Sequence, residues 1–324
     1  MNTKDFTIII PCILFDDVKE CIKKIRKIYK KIKIIVCLNE KNTFRKQDKN
    51  LKLITTKENG IGKKRNIAVK YCKTKYLAFL DSDAYPKKGW IESTFKLIKK
   101  KDVGIIGGPH IDPLNQTEEE TLIGKSKLSF IITMQAHLQK KTTSKGQFVE
   151  FLPSCNWILS KKLFNEVNQM DGKMLRNEDW DFVYNRMKKE NYKVFYSPKT
   201  IVYHENKKFS DFVLKRFRYG YYMWPILLKF NLYNFYFLLP LFFSIFLLSF
   251  PLILFNSIYQ TFYASIILIY LSVVFFETAR VSKNLTDFVK IPFFIIPANL
   301  LPGFGILFGF FKLILEKITF SKTN

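Results

Sequence analysis

Short apolar runs alternate with lysine-studded amphipathic stretches through the first two thirds of the chain. Phe6 to Ile10 is a β-branched run closed by Pro11, which predicts a buried first strand. Between Asp16 and Lys31, Val18, Ile22, Ile25 and Ile28 recur at near-helical spacing with lysines between them, so an amphipathic helix should follow. Ile32 to Leu38, Leu51 to Thr55, Tyr76 to Leu80 and Val103 to Ile106 predict further strands, and helix patterns run over Ile67 to Lys73 and Lys87 to Lys101. Strands that alternate with helices imply a parallel sheet with helices packed on it. Thr117-Glu-Glu-Glu is a capping box that opens another helix, with Leu122, Leu128, Ile131, Ile132 and Leu138 as its apolar positions. That face is either core or a lip toward an acceptor or a membrane.

The pattern then changes. From Phe230 to Phe276 no charged residue occurs, a run too long for one bilayer crossing. Two spans fit it, about 233–255 and 259–276, with a turn at Asn256-Ser257. A third apolar stretch, about 291–311, is interrupted by Pro292, Pro297, Asn299 and Pro302, and reads as a further crossing or a re-entrant hairpin. Upstream, 209–229 mixes Lys215, Arg216 and Arg218 with Phe212, Phe217, Tyr219, Tyr221, Tyr222 and Trp224, the mixture that headgroup layers favour. The expected division is therefore 1–208, an α/β domain; 209–229, an interfacial segment; and 230–324, an α-helical transmembrane region. Arg280, Lys283 and Lys290, then Lys312, Lys317 and Lys322, keep their segments cytoplasmic by the positive-inside bias. The N-terminus carries no secretory signal pattern, so the expected location is the inner membrane, multi-pass, with the α/β domain in the cytoplasm.

A net charge of +26 invites a nucleic-acid reading. The lysines are spread over many predicted helix faces and no nucleic-acid motif is present, so the charge points instead to membrane lipids with anionic headgroups and to phosphorylated substrates. Cys12, Cys21, Cys37, Cys72 and Cys155 show no metal spacing and read as reduced, small apolar residues.

Candidate chemistry sits where strands end. Asp81 and Asp83 follow Tyr76 to Leu80; residues two apart in an extended segment point the same way, so both carboxylates can face a ligand crevice at the carboxyl end of the sheet. Hard oxygen donors of this kind suit Mg²⁺ or Mn²⁺ held against phosphates. Asn59-Gly-Ile-Gly-Lys-Lys-Arg-Asn66 places glycines and cations at a helix start, where a diphosphate could bind. Asn177-Glu-Asp-Trp-Asp181 gives an N-cap candidate with acids in the first helical turn.

Taken in order, Ile-Ile-Ile-Pro11, Asn-Gly-x-Gly-x-x-Arg65-Asn, Phe-Leu-Asp81-Ser-Asp83 with Pro86 and Trp90, and Asn-Glu178-Asp179-Trp180-Asp resemble the family 2 glycosyltransferases of GT-A fold, from Phe6 to about His204. The resemblance implies a Rossmann-like, mostly parallel nucleotide-sugar domain. It implies donor binding by Pro11, Asn39, Arg65, Asp81 and Asp83, and metal ligation by Asp83 with Asp81 and His204. Asp179 would be the general base and Glu178 its support, with Asn156, Trp157 and Trp180 on the acceptor side. Asn39 stands where the family usually has an acid, so the donor is a UDP- or GDP-sugar without a choice between them. His110 and His137 carry no motif. The implied activity is metal-dependent, inverting transfer to a lipid-linked or membrane-associated glycan acceptor in surface glycan assembly. The absence of Gln-x-x-Arg-Trp speaks against a polymerising synthase. Transfer to polyprenyl phosphate, and an inactive membrane scaffold, are the alternatives.

Overall fold

The structure is a computed structural model that describes residues 2–39, 48–132, 145–206, 208–229 and 235–321. The chain forms two compact units, one of 1–113 and 138–205, the other of 114–137 and 206–324.

In the first unit an eight-stranded sheet has the order β3-β2-β1-β4-β9-β6-β10-β8. Its strands are β1 (Phe6–Pro11), β2 (Lys33–Leu38), β3 (Leu51–Thr55), β4 (Tyr76–Leu80), β6 (Val103–Gly107), β8 (Gln147–Val149), β9 (Asn156–Ser160) and β10 (Lys193–Tyr196). Strands β3, β2, β1 and β4 are parallel, β9 runs antiparallel between β4 and β6, β10 is parallel to β6, and β8 is antiparallel to β10. Every residue of β1 and β4 is buried, which is why both read as continuous apolar runs without alternation. A smaller sheet joins β5 (Ala84–Pro86), β11 (Val202–His204) and β7 (His110–Ile111). It folds the segment after Asp83 back beside His204, through the pair Ala84 and His204.

Helix α1 (Asp16–Ile28) buries Val18 and Ile25 as expected, and Cys21 with them, while Ile22 and Ile28 are only partly buried. Helix α2 (Ile61–Lys70) begins at Ile61 after Gly60 as its cap, earlier than the expected start at Ile67. The expected helix over 87–101 is absent. Gly89 adopts φ +86°, and only the short 3₁₀ turns Glu92–Thr94 and Leu97–Lys99 form. The segment is pinned elsewhere: Trp90 Nε1 donates to Asn156 Oδ1 at 2.8 Å, and the Ile91 amide to the Tyr29 hydroxyl at 3.1 Å.

The second unit holds α3 (Glu118–Ser126), α6 (Phe209–Tyr221), α7 (Trp224–Lys229), α8 (Phe235–Leu248), α9 (Ser257–Val281), α10 (Leu285–Lys290) and α11 (Pro292–Ser321). The first unit holds the short helices α4 (Lys161–Glu166) and α5 (Glu178–Asp181). The capping box at Thr117 is present. The expected boundary at 208 assigned α3 to the α/β domain; its apolar residues Leu122 and Ile123, with Ile132 after the helix, instead cluster with Val274, Ile291, Ile295 and Ala298 of the C-terminal helices. Lys125 Nζ lies 2.6 Å from the Asp287 carboxylate, and the Phe130 amide donates to Glu277 Oε2 at 2.6 Å. Leu138, His137 and the expected span start at Tyr233 lie outside the described residues.

Among the described residues, the apolar region contains two helices long and apolar enough to cross a membrane, within 257–281 and 285–315, and a shorter one at 238–248. No hairpin interrupts α11, although Pro297 and Pro302 lie inside it. Pro302 has no amide to offer the carbonyl of Ala298, and Arg216 Nε donates to that oxygen at 2.7 Å. Arg216, expected at the headgroup layer, is thus turned inward; its Nη2 also reaches the Ile132 carbonyl at 3.1 Å. Helices α6 and α11 meet backbone to backbone: a Cβ on Gly305 would lie 2.1 Å from the Phe217 carbonyl. Arg216→Met should therefore cost on the order of 1–3 kcal/mol, the penalty of an orphaned buried carbonyl, read as a lower midpoint of thermal unfolding in detergent.

Candidate active site

The carboxyl end of the first sheet assembles the site. Asp81 and Asp83 leave β4, and His204 ends β11. His204 Nε2 lies 3.5 Å from Asp83 Oδ1 and 4.0 Å from Asp81 Oδ2. The pair Leu80 and Asn156 closes the β4–β9 register, so Asp81 and Cys155 are the next residues outward on facing strands. One ligand atom each of Asp81, Cys155 and His204 lies within 4.8 Å of the other two. Two carboxylates and an imidazole that converge from two loops are a donor set that fits a divalent cation bound with water and phosphate oxygens. His110 joins this neighbourhood, its Nδ1 3.9 Å from Cys155 Sγ and its ring 5.9 Å from that of His204. Neither His110 nor Cys155 was marked by sequence reasoning, because the strand register, not a motif, brings them in.

Arg65 organises the second half of the site. It projects from α2 into the interior with a side-chain exposure of 1%, and its Nη2 donates to Asp81 Oδ1 at 2.9 Å. Nη1 donates to Ser154 Oγ at 2.8 Å and to Glu178 Oε1 at 3.3 Å. The guanidinium therefore joins the Asp81 loop to the acids of α5, and its two terminal nitrogens are committed to protein partners. Lys64 is likewise turned inward, with Nζ 2.6 Å from the Cys12 carbonyl and 2.5 Å from Asn39 Oδ1. Burial lowers its pKa. The cations expected to meet a diphosphate at this helix start are thus, in Lys64 and Arg65, parts of the frame.

Helix α5 places Glu178 and Asp179. Asn177 precedes them in the left-handed region at φ 62°, a conformation asparagine tolerates, and makes no side-chain cap hydrogen bond, contrary to its expected N-cap role. Gly62 of α2 allows the approach, since a Cβ there would lie 2.8 Å from Glu178 Cγ. A π-helical turn, Phe182–Met187, follows. Glu178 is buried while Asp179 is half-buried. Asp179 Oδ2 accepts from the Ser154 amide and hydroxyl at 3.4 Å each, and Oδ1 from the Trp180 amide at 3.0 Å. Desolvation, followed by the neighbouring Asp179 charge, pushes the Glu178 carboxyl up to about 7 against the pull of Arg65. Desolvation also raises Asp179. Ser154, which bridges Arg65 and Asp179, had no signal in the sequence.

Of the residues expected on the acceptor side, Trp180 is half-buried and stacks with Phe151 at 4.2 Å and with Tyr184 at 5.2 Å. Asn156 and Trp157 are interior. Asn156 Nδ2 donates to the Thr200 carbonyl at 2.8 Å and Trp157 Nε1 to the Leu152 carbonyl at 2.9 Å, so both hold the floor of the site. Asn39 Nδ2 reaches the carbonyls of Thr56 at 3.2 Å and Glu58 at 2.9 Å. Pro11 is buried at the end of β1.

The raised Glu178 carboxyl makes stability depend on pH. The folded chain keeps this proton up to about 7, above the ordinary glutamate range, so stability falls as pH rises from that range through 7. Glu178→Gln, neutral at every pH, is expected to melt above wild type at pH values over 7 and alongside it in mild acid; thermal unfolding across a pH series reads this directly.

Residues 7–167 match Glycosyl transferase family 2. Pre-mycofactocin glycosyltransferases of two Mycobacterium tuberculosis strains, CDC 1551 / Oshkosh and ATCC 25618 / H37Rv, are each 25% identical over 157 residues, 48% of this chain and 32% of theirs. The chain thus spans about a third of the length of these curated relatives. Among solved structures, GalNAc-T7 with UDP, GalNAc and Mn²⁺ is 12% identical with TM-score 0.45, covering 61% of this chain and 43% of that one. TarS 1-349 of S. aureus in complex with UDP is 16% identical with TM-score 0.42, covering 65% and 63%. The mannosyltransferase PcManGT from Pyrobaculum calidifontis, with GDP-Man and Mn²⁺, is 12% identical with TM-score 0.46, covering 68% and 61%. The match over residues 7–167, on a mostly parallel sheet that brings Asp81, Asp83, Glu178 and Asp179 together, makes this part of the chain a glycosyl transferase family 2 domain, and C-terminal apolar helices follow it.

Proposed function

We propose that this protein is a membrane-anchored, inverting glycosyltransferase that moves a sugar from a UDP- or GDP-sugar to a hydroxyl of a lipid-linked glycan acceptor. The observation that carries the reading is the single network from Asp81 through Arg65 and Ser154 to Glu178 and Asp179, beside the Asp83–His204 pair. It ties a cation-binding loop to a carboxyl pair whose proton affinity is raised. The named relatives and neighbours support the donor class, by their own names and bound nucleotides.

In this reading Asp81, Asp83 and His204 would hold Mg²⁺ or Mn²⁺, which would supply positive charge against the nucleoside diphosphate leaving group. Asp179 takes the proton from the acceptor hydroxyl as that oxygen attacks the anomeric carbon on the face opposite the leaving group. Burial suits it to that task, since a raised proton affinity brings a carboxylate closer to working pH. Glu178 and Arg65 fix its position and balance its charge. Trp180, stacked on Phe151 and Tyr184, offers a rigid face for an acceptor sugar. The two helices long and apolar enough to cross a membrane support anchoring, and with it an acceptor presented at the cytoplasmic leaflet of the inner membrane for surface glycan assembly.

The test is nucleoside diphosphate release from membranes that carry the protein, over a panel of nucleotide sugars with a native lipid extract. Release with one donor that stops on chelation and returns with Mg²⁺ or Mn²⁺ is the expected result. Silence with every donor, from folded protein and a competent extract, would remove the transferase reading in favour of a scaffold.

A further inference from the structure

We propose that Cys155 is a sulfur ligand of the cation site, so that this site takes a borderline divalent ion such as Zn²⁺ or Co²⁺ more tightly than an oxygen-only loop would. The inference rests on the cation-site reading above and deepens it. Its basis is the cluster of three unlike donors, a carboxylate oxygen of Asp81, the Cys155 thiol and a ring nitrogen of His204, all within 4.8 Å of one another.

The fold makes this meeting obligatory. Antiparallel pairing of β4 with β9 ends at Leu80 and Asn156, which leaves Asp81 and Cys155 facing each other one residue beyond the ladder. Pairing of β11 with β5 sets His204 opposite Ala84, just past the same loop. Three backbone segments, each fixed by sheet hydrogen bonds, converge on one point. Cys155 is 6% exposed whereas the Asp81 side chain is 30% exposed, so sulfur lies at the floor and the carboxylate at the mouth. Asn156 is locked by its bonds to Trp90 and Thr200, which holds its neighbour Cys155 in place.

Donor chemistry gives the preference. Mg²⁺ binds oxygen and discriminates against sulfur, whereas Zn²⁺ and Co²⁺ accept thiolate, imidazole and carboxylate together. Ligand atoms about 2.0–2.3 Å from one tetrahedral ion stand roughly 3.3–3.7 Å apart. The observed spread closes to that with side-chain movement of about 1 Å, which is within rotamer adjustment for Asp and His. On coordination the Cys155 thiol releases its proton to solvent. His110, 3.9 Å from the sulfur, is positioned to bond the thiolate.

The experiment uses the full chain in detergent, stripped by chelator and titrated with Co²⁺ alone. Wild type is expected to develop sulfur-to-cobalt charge-transfer absorption in the near ultraviolet, saturating at one ion per chain, and Zn²⁺ should displace it. Cys155→Ser should lose that band and bind Zn²⁺ at least about tenfold more weakly, with Mg²⁺ affinity unchanged. Cys155→Ala serves should the serine variant misfold. Failure of wild type to bind Co²⁺, binding without the band, or a band that persists without Cys155 would overturn the proposal. Nucleotide release with Mg²⁺, measured in parallel, separates the two readings: release without a band leaves the transferase and removes the sulfur ligand, and a band without release does the reverse.

Discussion

Asp179→Asn is expected to lower turnover by roughly 10²–10⁴-fold, the share of rate that a positioned general base supplies, while donor affinity stays near wild type. Asparagine keeps the shape, although its single carbonyl oxygen can accept from only one of the two amides, of Ser154 and Trp180, that reach Asp179 Oδ2 at 3.4 Å and Oδ1 at 3.0 Å. It cannot take a proton. Asp81 and Asp83 are untouched, so the loss should appear in kcat for the acceptor reaction and not in the donor KM. Desolvation raises the Asp179 carboxyl, and its partner Glu178 is pushed up to about 7, so wild-type rate should climb with pH through the range where this pair gives up its protons. Such an acidic limb belongs to the pair and not to one residue. The variant should lose it. A phosphate acceptor, by contrast, is already ionised and needs no base; a variant with near-normal turnover and an unchanged pH profile would replace the hydroxyl acceptor with polyprenyl phosphate.

The strand frame was legible because parallel strands buried on both faces must read as unbroken apolar runs. Phe6 to Pro11 and Tyr76 to Leu80 occupy β1 and β4 as expected; Leu51 to Thr55 also forms β3 as expected, but as an edge strand in which only Ile54 is buried. Legibility ended where position depends on partners distant in sequence. Lys87 to Lys101 has helical apolar spacing, yet Trp90 and Ile91 are claimed by Asn156 and Tyr29, and the segment breaks into turns. The glycines near Asn59 concealed the first turns of α2, which begins at Ile61. Thr117 announced α3 correctly, but nothing in its pattern told that Leu122 and Ile123 would pack with Ile291 and Ile295. Prolines 297 and 302 suggested a break that Arg216 repairs from another helix. In the site, the carboxylates stood out because acids at strand ends are chemically conspicuous. Ser154, Cys155 and His110 did not, since their relevance comes from the β4–β9 register and the small sheet.

Arg65→Met should cost about 3–5 kcal/mol of stability, the range seen when one partner of a buried ion pair is removed. The reason is charge bookkeeping in a confined space. Asp81, Glu178 and Asp179 surround a guanidinium with 1% side-chain exposure, which bonds Asp81 at 2.9 Å and Glu178 at 3.3 Å. Methionine fills similar volume but leaves the acids facing one another. Their proton affinities must then rise further, so the deficit should be greatest at alkaline pH and shrink as acid neutralises the group. Arg65→Lys should rescue little, because a compact ammonium cannot reach Asp81, Ser154 and Glu178 as the planar fork does. Combining Arg65→Met with Glu178→Gln should recover part of the loss, since the two changes act on one network and do not add. Thermal unfolding of wild type, the three single variants and the double variant at matched pH would decide it. Additive losses, or a deficit independent of pH, would mean that Arg65 contributes packing around Phe79, over whose ring it lies at 5.3 Å, and that the acids of α5 are balanced without it.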